Sequence, residues 1–394
     1  MTDTFLSSTP SPTRRGFLKG ALGVACSAAA SPLLTPVTVA AAPGENRLVI
    51  IVLRGAMDGL GVFAPYGDRD FAALRPGIGG TPDDRLIDLD GRFGVDRRLG
   101  ALIPLWSAGE LGIAHAVSTP YRGKRSHFDG QDLLEAGVED ADRTQNGWLN
   151  RALGHLNDAR AETAIAVGRE DMLLMRGPNP SQTWAPGTRL VLENDERRLL
   201  QMIYAKDPLF AKAAATAEFL SGRDGKVKGG RDAEAIARYA ARRLNEEARI
   251  AAFSIGGWDT HASQPHALQR PLKDLSRALI ALREQLGGHW GRTMVIAMTE
   301  FGRTAAENGN RGTDHGTGGA ALLAGGALKG GRVFGDWPGL KTGDLFEDRD
   351  LMPTQDVRHY PAWALSALFG IDRTAIEAKV FPGLDMGPRP SFIA

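Results

Sequence analysis

The run "NRLVIIVLRGAMDGLGVFAPYGD", Asn46 to Asp68, decides how the rest of the chain is read. Its six apolar residues, Leu48 to Leu53, are rich in β-formers and too few for a helix, so they predict a strand buried on both faces. The strand runs directly into "RGAMDG", which puts Asp58 just past its C-terminal end. Five later runs share this look: 111–117, 164–168, 250–255, 293–298 and 320–326. Helical patterns lie between them, clearest over 232–248 and 266–286. Strand alternating with helix predicts an α/β fold, a mostly parallel sheet with helices on both faces.

Composition agrees with a globular chain. Of 394 residues, 43% are hydrophobic and 24% charged, which supports a sizeable core, and the net charge of +1 gives no electrostatic reason to expect nucleic acid as a partner. Forty-nine glycines and 22 prolines predict many turns and long loops around the sheet. A polar, small-residue segment over about 170–230 suggests an insertion or cap within one domain, 43–394.

Residues 1–42 carry a different signal. "TRRGFLKG", Thr13 to Gly20, pairs Arg14 and Arg15 ahead of a short apolar run and an Ala40-x-Ala42 cleavage pattern. This resembles a twin-arginine signal peptide, implying the twin-arginine translocase as a partner during export and a periplasmic or secreted destination. The apolar run is too short and alanine-rich for a stable membrane span. Cys26, the single cysteine, falls inside it, so the mature chain is expected to contain no disulfide, thiolate ligand or cysteine nucleophile.

Acids and histidines gather where strands are expected to end. Asp58 follows the first strand; Asp259 and His261 follow 250–255; Glu300 and Arg303 follow 293–298; Asp314 and His315 precede 320–326. Carboxylates and imidazoles are ligands for zinc, and carboxylates also suit magnesium, calcium or manganese. Singly, each has a plainer reading: an N-cap aspartate, a turn, a core histidine. Their convergence at the strand ends of one sheet, where α/β proteins bind ligands, favours a site. Gly256 and Gly257 are expected to let backbone approach that site closely.

The phrases "LRGAMDGL", "STPYRGKRSHFDGQD", "GGWDTH", "TEFGRT", "GTDHGTGGA" and "GGRVFGDWPGL" resemble an exported, sulfatase-like bacterial family known as domain of unknown function 1501, in the alkaline phosphatase and sulfatase superfamily. They span about residues 48 to 340. The resemblance implies a three-layer α/β/α sandwich, one or two divalent metals, and hydrolysis of a small-molecule ester of phosphate or a related acid. Carried onto this chain, it places one metal on Asp259, His261 and His315, and the other on Asp58 and Glu300. Ser126, at an expected helix start, takes the nucleophile's place, or serves only as an N-cap. Apart from the resemblance, Arg303, three residues beyond Glu300, is expected to point into or beside the cleft as an oxyanion contact, or to form a surface salt bridge.

Two departures from the superfamily's pattern stand out. The pair Glu300-Phe301 lacks a nitrogen ligand unless His127 supplies it, and Asp259 and His261 are separated by one residue rather than three. The second site could therefore hold a different metal, a weaker one, or none. Two other readings stay open: a binding or scaffold protein of this fold without catalysis, and an α/β serine hydrolase using Ser254 of "AFSIG" as its elbow.

Overall fold

The computed structural model describes residues 45–123, 125–140, 146–168, 170–185 and 232–393. Arg14, Arg15 and the export segment therefore lie outside the described residues, as does most of the suggested cap. The first strand, β1 (Arg47–Arg54), forms where the sequence expects it. Its side chains alternate between two apolar clusters. Val49, Ile51 and Leu53 meet helices Ala233–Glu246 and Gln269–Leu286. Leu48, Ile50 and Val52 meet helices Trp148–Leu153 and His359–Phe369 on the other face. Two-sided burial explains why the strand reads as an unbroken apolar run. Each of the six side chains contributes roughly 1.5–3 kcal/mol, an upper figure because unfolded chains already hide part of that surface.

In chain order the other strands are β2 (Phe63–Ala64), β3 (Leu86–Asp88), β4 (Gly94–Asp96), β5 (Leu111–Ser118) and β6 (Ala164–Val167), then β7 (Gln182–Trp184) and β8 (Ile250–Gly256). After them come β9 (Thr293–Met298), β10 (Gly319–Ala324), β11 (Val333–Phe334) and β12 (Gln355–Asp356). The central sheet has nine strands among the described residues, ordered β11-β5-β10-β9-β1-β8-β6-β7, with β12 also on β5. Strands β2, β4 and β3 make a small separate sheet. The architecture is a mixed, mostly parallel sheet between two helical layers, the expected sandwich.

All six runs expected as strands are strands. What the sequence did not reveal is direction. Strand β10 lies antiparallel to both β9 and β5, so those two are parallel to each other. Antiparallel neighbours need no helical crossover, and the connection from Thr299 to Gly318 contains no helix. β1 pairs in parallel with β8 and β9. The C-terminal ends of β1, β5, β8 and β9 therefore share one edge with the start of β10. Within the suggested cap, Gln182–Trp184 pairs with β6 as the last strand of the central sheet among the described residues.

The two long helices have local causes. Asp232 caps Ala233–Glu246, accepting hydrogen bonds from the Glu234 and Ala235 amides. The helix expected over 266–286 is two segments, Gln264–Ala267 and Gln269–Leu286, meeting at Leu268. The longer one buries Leu272, Leu275, Leu279 and Leu282, a three-to-four-residue spacing that keeps one face on the sheet.

Candidate metal centre

Four strand ends and one strand start build the centre. His127 opens the helix His127–Ala136, which follows β5. Its Nδ1 lies 2.8 Å from Glu300 Oε1, and its ring stacks on Phe301 with centroids 5.1 Å apart. Nε2 of the same ring is buried without a hydrogen-bond partner, 3.4 Å from Asp259 Oδ2. The Glu300 hydrogen bond, opposed by burial, raises the His127 pKa above the usual imidazole value.

Asp259 follows β8, reached through a turn at Gly257 (φ 94°). Space does not demand glycine here: a side chain at Gly256 would meet nothing within 4 Å, and one at Gly257 only Pro271. The left-handed backbone at Gly257 is the physical reason. Close approach occurs instead at Gly55, φ 114°, where a Cβ would stand 2.6 Å from the Asp259 amide.

Asp259 Oδ1 accepts from Arg303 Nη2 at 2.6 Å and lies 3.0 Å from His261 Nε2. Burial pushes its pKa up, but Arg303 and the nearby His261 and His127 outweigh burial and hold it below the usual carboxylate range. His315 Nε2 lies 3.0 Å from His261 Nε2, and His315 Nδ1 lies 2.8 Å from the Arg125 carbonyl. A carbonyl can only accept, so Nδ1 carries the proton and Nε2 of the neutral ring is bare. Burial, reinforced by the charge of Arg303, lowers the His315 pKa.

Ligand atoms of His127, Asp259 and His315 all lie within 4.8 Å of one another. Two imidazole nitrogens and a carboxylate oxygen fit a divalent cation such as zinc. The orphaned Nε2 of His127 is an independent sign of fit, because a buried polar atom without a partner costs about 1–3 kcal/mol unless something binds it. The expected trio also comes together: His261 Nε2 lies 3.0 Å from both Asp259 Oδ1 and His315 Nε2, and those two atoms are 3.6 Å apart. Asp314 stands behind His261, its Oδ1 3.5 Å from His261 Nδ1 and bonded to Asn308 Nδ2 at 3.1 Å.

Asp58 and Glu300, expected as a second ligand pair, each face donors of the protein. Both Asp58 oxygens meet the Arg75 guanidinium, at 2.5 and 3.0 Å, and Gln264 Nε2 donates to Oδ2 at 2.6 Å. The Asp58 side chain is fully engaged. Glu300 is wholly buried; Oε1 accepts from the Gly55 amide, His127 and Gln131, and Oε2 lies 2.8 Å from Thr299 Oγ1, whose single proton is shared with the Leu53 carbonyl at 2.7 Å.

Arg303 reaches the centre with its guanidinium engaged by the protein. Its N–H groups bind the carbonyls of Gly55, Ala56, Trp258 and Thr313 together with Asp259, and it is 1% exposed. It straps three strand-end loops together. It is not a surface salt bridge. Ser126 caps its helix, Oγ accepting from the Asp129 amide at 3.4 Å, and stands between Arg125, which touches His315, and His127. Ser254 lies inside β8 with its hydroxyl donating to Glu170 at 2.7 Å, so no nucleophile elbow exists there.

Sequence reasoning missed Arg75, Gln264 and Gln131. Gln131 was reachable, because it lies four residues after His127 on one helix face. Arg75 follows the short helix Phe71–Leu74, and nothing in its neighbourhood announces a partner seventeen residues back.

Fold and centre together describe an α/β protein with a histidine-and-carboxylate cluster at the C-terminal sheet edge. The chain belongs to the family described as Protein of unknown function (DUF1501), whose model matches residues 133–379. That span contains "GGWDTH", "TEFGRT", "GTDHGTGGA" and "GGRVFGDWPGL", whereas "LRGAMDGL" precedes it. No curated protein matches the chain.

Among solved structures, the chain is similar to the zinc complex of the C-terminal periplasmic domain of EcEptC from Escherichia coli. The identity is 9%, over 71% of this chain and 73% of that one, with a TM-score of 0.37. It is also similar to a protein in the alkaline phosphatase superfamily from Vibrio parahaemolyticus, at 13% identity, 83% and 67% coverage, and TM-score 0.37. For alkaline phosphatase from the Antarctic bacterium TAB5 the values are 10%, 83%, 99% and 0.41. Likenesses at these scores carry no conclusion about chemistry.

Proposed function

We propose that the chain is an exported, metal-dependent hydrolase of a small-molecule ester of phosphate or a related acid. The observation that carries this reading is the convergence of His127, Asp259 and His315 within 4.8 Å. A divalent ion held there would supply Lewis-acid stabilisation of charge developing on the ester oxygens. The chain's own residues do the rest. His127, Asp259 and His315 hold the ion, and Arg303 fixes the Asp259 carboxylate through Oδ1. Ser126 would supply the attacking hydroxyl from the start of a ten-residue helix, where free amides and the helix dipole favour an anionic oxygen. The substrate's alcohol leaves with the hydroxyl proton, and water then cleaves the seryl ester and restores the serine.

Export is part of the proposal and rests on the arginine pair Arg14 and Arg15, which would engage the twin-arginine translocase. No helix among the described residues is long and apolar enough to cross a membrane.

The test is hydrolysis of p-nitrophenyl phosphate and its bis ester by metal-replete protein, before and after chelation. Chelation and Asp259→Ala are each expected to abolish turnover. Ser126→Ala is expected to lose nearly all turnover while keeping its metal, at a stability cost of about 1 kcal/mol for the cap. A metal-loaded protein that cleaves no phosphate, phosphonate or sulfate ester supports the second reading instead, a binding protein of this fold. That reading is favoured by one observation: Asp58 and Glu300 are both committed to protein donors.

A further inference from the structure

We infer that the centre holds one ion rather than two, and that Glu300 is a positioning residue acting on that ion through His127. This inference rests on the metal-dependent reading above and deepens it. It begins with the two acids assigned by resemblance to a second ion. Asp58 faces Arg75, whose side chain is fully buried. A second divalent ion at Asp58 would have to displace a paired guanidinium or sit beside it, and like charges in a buried site repel strongly. Gln264 closes the remaining approach to Oδ2, its own amide oxygen being held by the Thr260 and Thr313 hydroxyls.

Glu300 is wholly buried and bonded mainly through Oε1. Its Oε1 accepts from the Gly55 amide, His127 and Gln131, and its Oε2 lies 2.8 Å from the Thr299 hydroxyl, whose one proton is shared with the Leu53 carbonyl at 2.7 Å. Among the described residues, the donor atoms of His127, Asp259 and His315 converge within 4.8 Å, and His261 Nε2 joins the same cluster, 3.0 Å from both Asp259 Oδ1 and His315 Nε2.

What Glu300 does follows from the imidazole it touches. By accepting the Nδ1 proton of His127 at 2.8 Å, the carboxylate leaves Nε2 as the bare nitrogen, aimed at Asp259 and His315. It also fixes the ring plane and raises the ligand's basicity, as outer carboxylates do for metal-bound histidines. Because Glu300 also binds the Gly55 amide, it ties the end of β1 to a ligand supplied after β5. Glu300 therefore touches a ligand and not the ion.

The experiment measures zinc content per chain by elemental analysis and zinc affinity by competition with a chromophoric chelator. The proteins are the wild type, Glu300→Gln, His127→Ala and the double variant. One zinc per wild-type chain is expected. Glu300→Gln keeps that stoichiometry and binds zinc about tenfold more weakly, since the amide oxygen still accepts the proton but the charge is gone. In the His127→Ala background, adding Glu300→Gln leaves affinity within about twofold, because the route through the imidazole is already cut.

Two zincs per wild-type chain, loss of zinc altogether in Glu300→Gln, or the same tenfold loss without His127 would each overturn the inference alone. Wild-type protein binding no zinc would overturn the metal-dependent reading beneath it. Should Glu300→Gln fail to fold, nitrogen-15 spectra of histidine-labelled metal-free wild type decide the matter. A neutral His127 protonated on Nδ1 is expected, and the Nε2 tautomer overturns the inference.

Discussion

The guanidinium of Arg75 meets the carboxylate of Asp58 fork to fork, Nη1 to Oδ2 at 2.5 Å and Nη2 to Oδ1 at 3.0 Å, with neither side chain exposed above 1%. Arg75 also binds the carbonyls of Ala305 and Thr304, so the pair ties the end of β1 to the loop after β9. Removing one charge from a buried pair strands the other. Arg75→Met is expected to cost about 3–5 kcal/mol in urea unfolding, whereas Asp58→Leu combined with Arg75→Met recovers part of that loss. A loss below about 1 kcal/mol for Arg75→Met would mean the pair is solvated like a surface bridge.

Arg303 offers a second stability test, one that separates strapping from catalysis. Arg303→Ala deprives four backbone carbonyls and Asp259 of donors. The expected destabilisation is about 3–5 kcal/mol, because unsatisfied buried acceptors keep their full desolvation cost. Arg303→Lys should fall between, since an ammonium has three donors and no fork. Thermal unfolding of both variants measures this; a lysine variant with wild-type stability but collapsed turnover would support the oxyanion role.

His115, buried in β5, makes stability depend on pH. Its Nε2 lies 2.9 Å from the Phe63 carbonyl and Nδ1 accepts from the Ala116 amide, so the neutral ring is fully bonded. Burial pushes its pKa down from 6.5 to about 4. The unfolded chain therefore takes up a proton below pH 6.5 that the folded chain refuses until about 4. Stability is full above that window and falls as pH drops through it, by a contribution on the order of 3 kcal/mol. Urea unfolding at pH 7 and pH 5 should show the drop, and His115→Gln should flatten it. Equal slopes in both proteins would remove His115 from the account.

Export is tested by replacing Arg14 and Arg15 with lysines in the full chain. Unprocessed precursor should accumulate in the cytoplasm, as seen by fractionation and immunoblotting. An undiminished periplasmic yield would show that the pair is not the translocase signal.

The apolar runs made the sheet legible, because strands buried on both faces leave uninterrupted hydrophobic sequence. Strand β10 was legible as a strand but not in its direction, which depends on the connection before it and not on its own residues. The small sheet of β2, β3 and β4 escaped notice because strands of two or three residues carry no periodicity. In the site, acids and histidines could be found at strand ends by type, and five of them do gather: His127, Asp259, His261, Glu300 and His315. Their division of labour could not be read. Whether a carboxylate faces an open cleft or a guanidinium depends on Arg75 and Gln264, whose positions follow from packing alone.

The reversed strand β10 has one further consequence, which concerns persistence rather than position. Since β9 and β10 are adjacent, Glu300, Arg303 and His315 arrive on a single local excursion of the chain. Their partners are remote: 173 residues separate His127 from Glu300, 190 separate Arg125 from His315, and 44 separate Asp259 from Arg303. A short-range piece is thus stapled to long-range ones, and such distant contacts are slow to gain. Anything that binds only the assembled cluster holds all of them at once, by mass action. Local opening of that sheet edge, the step a protease exploits, then requires giving up the cluster as a unit.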